Sequence, residues 1–163
     1  MKDKDFYIKY LAALLELNKM HSGKWEGRSL ITPTLISEEL CKYLLNLEDR
    51  EIGAKDHDAI KDSIKYEIKA TSDERGTTTF NPNANVDYCI WIFFNYKNEE
   101  LVIKKTEFNN LKKAKTKKVE EDIDFVIKAN EVKVKRQTIQ LSNIKTWEFE
   151  KFYKMHSLEE LKK

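Results

Sequence analysis

The sequence predicts an α/β (α+β) domain, a central mixed sheet flanked by helices. Three observations predict it. Apolar residues recur at helical spacing in the N-terminal part of the chain. The period changes to two from residue 56. "VDYCIWIFFNY" (86–96) is almost wholly apolar, aromatic or β-branched. Gly (4) and Pro (2) are scarce, which favours regular structure over linker. With 163 residues and 40% hydrophobic content, the chain can bury a real core as a single domain, 1–163.

The elements follow in order. Tyr7, Tyr10, Leu11, Leu14 and Leu15 mark a first helix, with Asp3 or Asp5 near its N-terminus. His21 to Ser29 holds Gly23 and Gly27 and reads as a loop. Ile36, Leu40, Tyr43, Leu44 and Leu47 form the stripe of a second helix, starting at Thr32 before Pro33 or at Ser37. These helices (4–47) are a candidate support or dimerisation unit. His57–Ile60 and Tyr66–Thr71 read as short strands, and 72–85, "SDERGTTTFNPNAN", as a polar loop. The apolar run 86–96 suits a central strand buried on both faces, with 100–105 as its neighbour across a turn at 97–99. A short helix is expected around 107–115 and a hairpin over 124–136, turning near Asn130. Residues 143–155 read as a helix capped by Ser142 or Asn143, its apolar contacts being Ile144, Trp147, Phe149 and Phe152. The catalytic core would span about 35–105, followed by a C-terminal hairpin and helix over 120–156.

The formal charge of +2 balances 30 basic against 28 acidic residues and excludes no function class, since a nucleic-acid enzyme needs only a local basic surface. Cys41 and Cys89 sit in apolar contexts without CxxC spacing, so buried free thiols in a reducing, cytoplasmic compartment are expected. No signal-peptide core or apolar run of transmembrane length occurs, so no membrane association is expected. His21, His57 and His156 make no zinc pattern.

The chemistry gathers in "DHDAIKDSIKYEIKATS" (56–72). Residues i and i+2 of a strand share a face, so Glu67 and Lys69 project together while Tyr66, Ile68 and Ala70 project oppositely. A hairpin turning at Asp62-Ser63 sets Asp58 directly across from Glu67, with Cβ atoms about 5 Å apart. Two carboxylates so placed repel, and a divalent cation relieves them. Mg²⁺ takes one or two carboxylates and is completed by water and phosphate oxygens. Lys69 beside it can orient an attacking water or stabilise added negative charge. The ordinary alternative is a solvated hairpin, because an ExK triplet alone is weak. It also occurs at Glu131–Lys133, where Glu131 falls at a turn, and at Glu160–Lys162, in a charged tail without sheet context.

The order helix, Asp58-Ala59, "YEIK" (66–69), polar loop with Asn81-Pro82, then "WIF" (91–93) resembles the PD-(D/E)XK nucleases, most of all small type II restriction endonucleases of the PvuII kind. The resemblance covers about 35–96. His57 stands where the signature has Pro. The resemblance implies a restriction-endonuclease-like fold and Asp58, Glu67 and Lys69 as catalytic residues. Asp58, Glu67 and the Ile68 carbonyl would be metal ligands for one or two Mg²⁺. It also implies an accessory acidic group on the preceding helix, Glu38 or Glu39. A helix macrodipole accounts equally for an acidic residue there, and better for Glu38 than for Glu39. His57 reads as a structural neighbour rather than a base.

Arg75, Thr77, Thr78, Thr79, Asn81 and Asn83 in the polar loop, and Lys135 and Arg136 beyond it, are candidate DNA contacts. Arg, Asn and Thr suit base edges, and Lys and Arg suit phosphates. "KKAKTKK" (112–118) is a further basic run, interrupted in effect by Glu120–Asp122. The ordinary alternatives are a capped surface loop and solvated charges. The expected function is a Mg²⁺-dependent type II deoxyribonuclease. It would cleave double-stranded DNA at a short palindrome as a homodimer, with a cognate DNA methyltransferase as genetic partner. The alternatives are a repair or junction nuclease of the same fold, or an inert DNA-binding or interaction domain.

Overall fold

The computed structural model describes residues 2–21, 33–73, 75–114, 123–127 and 132–163, with the backbone alone at 21, 123–127 and 132–136. Helix α1 (Lys4–His21) begins where Asp3 Oδ1 accepts the Phe6 amide at 2.8 Å, and it buries Tyr7, Leu11, Leu14 and Leu15. Helix α2 (Thr34–Leu45) starts after Pro33. Ser37, one of the two expected starts, lies inside it and donates its hydroxyl to the Thr34 carbonyl; Thr32 lies outside the described residues. Asn46 ends α2 in the left-handed region (φ 51°). The Leu47 amide then reaches back to the Lys42 carbonyl at 2.9 Å, which tucks Leu47 under the helix.

The strands are β1 (Glu48–Asp49), β2 (Ala59–Lys61), β3 (Ile64–Thr71), β4 (Thr77–Phe80), β5 (Tyr88–Asn95) and β6 (Glu100–Glu107). After the short helix α3 (Asn109–Lys113) come β7 (Ile123–Ile127), β8 (Val132–Gln140), a 3₁₀ turn at Leu141–Asn143, β9 (Phe149–Lys154) and β10 (Glu160–Leu161). The main sheet runs β1-β2-β3-β5-β6-β9-β10, and β4-β8-β7 forms a second sheet. Among the described residues, only β3 and β5 run parallel, because the chain between them leaves to build β4; the other pairings are antiparallel.

The main sheet is apolar on both faces, as the run 86–96 requires. One face buries Tyr66, Ile68, Ile90, Ile92 and Phe94 against Tyr7 and Leu11 of α1 and Leu40 and Cys41 of α2. The other buries Cys89 and Trp91 with Phe80, Phe108, Leu111 and Ile139. Both cysteines are buried free thiols. Among the described residues, no helix is long and apolar enough to cross a membrane.

Four expectations are corrected. Residues 143–155 are not a helix: 149–154 form β9, pairing along β6 from Lys105↔Phe149 to Glu100↔Lys154. Phe149 and Tyr153 enter the helix-side core, and Glu150 meets Lys104 at 3.2 Å. The run's apolar spacing fits either period, and the unpaired edge of β6 decides it. The loop 72–85 contains a strand, β4, whose Phe80 is fully buried. The charged tail has sheet context, since Glu160 pairs with Tyr153. Of the loop expected over His21 to Ser29, His21 is instead the last residue of α1, and the rest lies outside the described residues, as do the turn near Asn130, Glu131 and 115–122.

Candidate active site

The β2–β3 turn is Asp62-Ser63, with φ of 51° and 67°, the paired positive values that match strand twist in a two-residue hairpin. The register Ala59↔Tyr66, Ile60↔Lys65, Lys61↔Ile64 is the one expected from sequence. At Asp58 the chain leaves the ladder. Its amide donates to the Tyr66 carbonyl at 2.8 Å, and its Oδ2 accepts the Ile68 amide at 2.8 Å. A side chain thus replaces a strand neighbour. The amide and carbonyl of one strand residue leave on the same edge. The Ile68 carbonyl therefore emerges beside Asp58, beyond the last β2 rung.

Glu67 and Lys69 share the opposite face from Ile68. Lys69 Nζ lies 2.5 Å from Glu67 Oε1, with both side chains largely shielded (13% and 17% exposed). Strand β5 backs them: Glu67 pairs with Cys89 and Lys69 with Trp91. Trp91 donates its indole N–H to Thr71 Oγ1 at 2.7 Å, which holds the strand end below Lys69. Burial pushes the Cys89 thiol up to about 12, with the Glu67 and Asp58 charges adding and Lys69 opposing. Cys89 is thus an uncharged wall of the site rather than a nucleophile.

Helix α2 contributes Glu38. Burial raises its carboxyl above the ordinary value and the Asp58 charge raises it further. Lys42 and Arg50 oppose, and Glu67 adds a smaller increase. Glu39, also expected as the accessory group, is turned away into an ion pair with Lys42 at 3.4 Å, which also binds Asp49 at 2.9 Å. Of the two, Glu38 is the one whose carboxyl is raised by the Asp58 and Glu67 charges. Both residues carry the same charge on the same turn, and only the angle at which α2 lies on the sheet separates them.

Glu38, held up by burial and by the Asp58 and Glu67 charges, adds to those two a hard, all-oxygen donor set of the kind Mg²⁺ takes. Among the described residues, no three His, Cys, Asp or Glu groups are already drawn together enough to enclose an ion. Glu67 is engaged by Lys69 instead. His57 is buried, with Nδ1 2.8 Å from Asp56 Oδ1.

The candidate DNA contacts are scattered more widely. Thr77, Thr78 and Thr79 lie on β4, and Arg75 is exposed at the turn before it. Asn81 spends its side-chain oxygen on the Asn83 amide at 3.0 Å, closing a turn. Lys135 and Arg136 lie on β8 opposite Asp124 and Ile123. Pairing of β4 with β8 sets Thr77 opposite Gln140 and Thr79 opposite Thr138, while Thr78 and Phe80 lie on the face with buried Ile139. Thr138 and Gln140 are thus added to the outward face. The alternation of "VKVKRQTIQ" continues past Arg136 and was the signal for them.

Compared with curated proteins, the chain matches none. The family model described as Bsp6I restriction endonuclease matches residues 2–145, which include α1, α2, the whole carboxylate centre and the β4–β8 pair. The chain belongs to the Bsp6I restriction endonuclease family.

Proposed function

We propose that this chain is a type II restriction endonuclease of the PD-(D/E)XK kind, one nuclease unit that uses a divalent cation to cut double-stranded DNA at a short site. The observation that carries the reading is Asp58 bonded to the amide of Ile68, the residue between Glu67 and Lys69, with those two side chains paired on one shielded face. A solvated hairpin has no reason to shelter an ion pair there.

Asp58 and Glu67, with Glu38 and the Ile68 carbonyl, would hold one or two Mg²⁺. When bound, Mg²⁺ makes a water more acidic and offsets charge on the scissile phosphate. Lys69 would set its ammonium group beside that phosphate and orient the attacking water. The Asp58–Ile68 bond keeps one carboxylate oxygen occupied and aims the other outward. Trp91, Cys89 and Thr71 keep water from the underside of the lysine. The outward face of β4–β8, with Thr77, Thr79, Thr138 and Gln140, suits a major groove that admits a two-stranded ribbon. A two-fold homodimer would read a palindrome with two such ribbons.

Plasmid DNA incubated with the protein and Mg²⁺ should give discrete fragments. Lys69→Ala should slow cleavage on the order of 10²–10³-fold while the protein still melts normally and binds DNA. Cleavage by the variant at the parent rate moves the catalytic lysine elsewhere. A smear or nicking favours a repair or junction nuclease, and intact DNA with the parent protein favours an inert binding domain.

A further inference from the structure

The segment that leads into Asp58 contains a buried imidazole without an assigned role. His57 is 4% exposed. Its Nδ1 lies 2.8 Å from the Asp56 carboxylate, an acceptor, so Nδ1 is the donor of that bond. Nε2 is buried and has no hydrogen-bond partner among the described residues. Space filling does not explain an imidazole here, since an apolar side chain of similar size would fill the volume without stranding a ring nitrogen. The bond to Asp56 does explain it.

That bond belongs to a set of ties. Asp56 Oδ2 faces Lys65 Nζ on β3 at 3.5 Å, and the His57 carbonyl accepts from Arg50 Nη1 at 3.4 Å. Residues 50–57 form no helix or strand, so no ladder holds the approach to Asp58. Asp58 itself must deliver both its amide and its carboxylate to β3. The main chain one residue earlier decides whether it can.

We propose that His57 is a positioning residue: by tying its ring to Asp56 it fixes the main chain from which the Asp58 carboxylate reaches the Ile68 amide. The proposal rests on the reading of Asp58 as part of a nuclease centre for its catalytic consequence alone; the Asp58–Ile68 bond reports positioning independently.

Two variants separate positioning from packing. His57→Leu removes the Nδ1 donor and the stranded nitrogen, and His57→Asn returns an N–H near the Nδ1 position. Three readouts are compared: the melting temperature, the hydrogen exchange of the Ile68 amide by NMR, and Mg²⁺-dependent plasmid cleavage. His57→Leu should melt no lower than the parent, exchange the Ile68 amide faster, and lose roughly 10²-fold in kcat with KM little changed, as expected of a displaced catalytic group. His57→Asn should restore both amide protection and kcat. Asp56→Ala, a change at a half-exposed residue, should reproduce the Leu pattern and serves if His57→Leu fails to fold. A Leu variant with parent-like protection and kcat overturns the proposal. So does an Asn variant as impaired as Leu, or an Asp56→Ala protein indistinguishable from the parent. If the parent itself does not cleave, the nuclease reading fails, while the Ile68 exchange comparison still decides the positioning role.

Discussion

The β2–β3 hairpin and the β4–β8 pair are both antiparallel and both carry polar side chains, yet they are held in place by different forces. In the hairpin, Lys61 pairs with Ile64 across a two-residue turn, so closing it costs little chain entropy. The β4–β8 pair joins Thr77 to Gln140, with β5, β6 and α3 between them in the chain. The hairpin presents charges, Glu67 and Lys69, that neutralise one another. The pair presents neutral Thr and Gln and is anchored from beneath by Phe80, edge-on to Phe108 at 5.7 Å, and by Ile139. Placement of the proposed reacting groups is therefore local, whereas placement of the proposed reading face depends on a distant core.

The sharpest break of that comparison is Phe80→Ala. It should destabilise the fold by about 3–5 kcal/mol, the usual cost of emptying a buried aromatic site. Urea unfolding measures it. A surface-like change in midpoint would mean that the β4–β8 pair holds itself up without the core. The next effect is on recognition. Gln140→Ala should weaken binding to cognate DNA by about 1–3 kcal/mol and spare random DNA, because a base-edge contact is lost and no phosphate contact is. Anisotropy titrations of both duplexes check it, and equal losses would put Gln140 on the backbone or in the fold.

The smallest effect lies in the hairpin's own neighbourhood. Glu38 has a folded pKa above its ordinary value of 4.5, so folding disfavours its charged form. That cost is fully present above the raised pKa and is relieved as pH falls through it. Glu38→Gln should therefore raise the metal-free melting temperature slightly at neutral pH, with the gain fading in acid. Added Ca²⁺ should stabilise the parent more than the variant, since a ligand selective for the folded state acts by mass action. Melts across pH, with and without Ca²⁺, decide it; a gain independent of pH would detach Glu38 from the carboxylate centre.

The sequence alone determined the features whose partners are near in the chain. Asp62-Ser63 as the turn, the register it imposes, and the shared face of Glu67 and Lys69 follow from a period of two and a two-residue loop. The run 86–96 announces a strand buried on both sides, because its aromatic and β-branched residues suit a pleated surface covered on both faces. Tertiary structure decided the rest. "TTTF" at 77–80 carries too little pattern to be told from a loop until β8 supplies its hydrogen bonds. Ile144, Trp147, Phe149 and Phe152 fit a helix until the open edge of β6 claims 149–154 as a strand. Glu38 and Glu39 are adjacent and equally charged, and only the seating of α2 turns one toward Asp58 and the other toward Lys42. Local spacing specifies which faces a side chain can occupy; the partner waiting on that face is set by elements far away in the chain, whose pairing costs loop entropy that only the assembled core offsets.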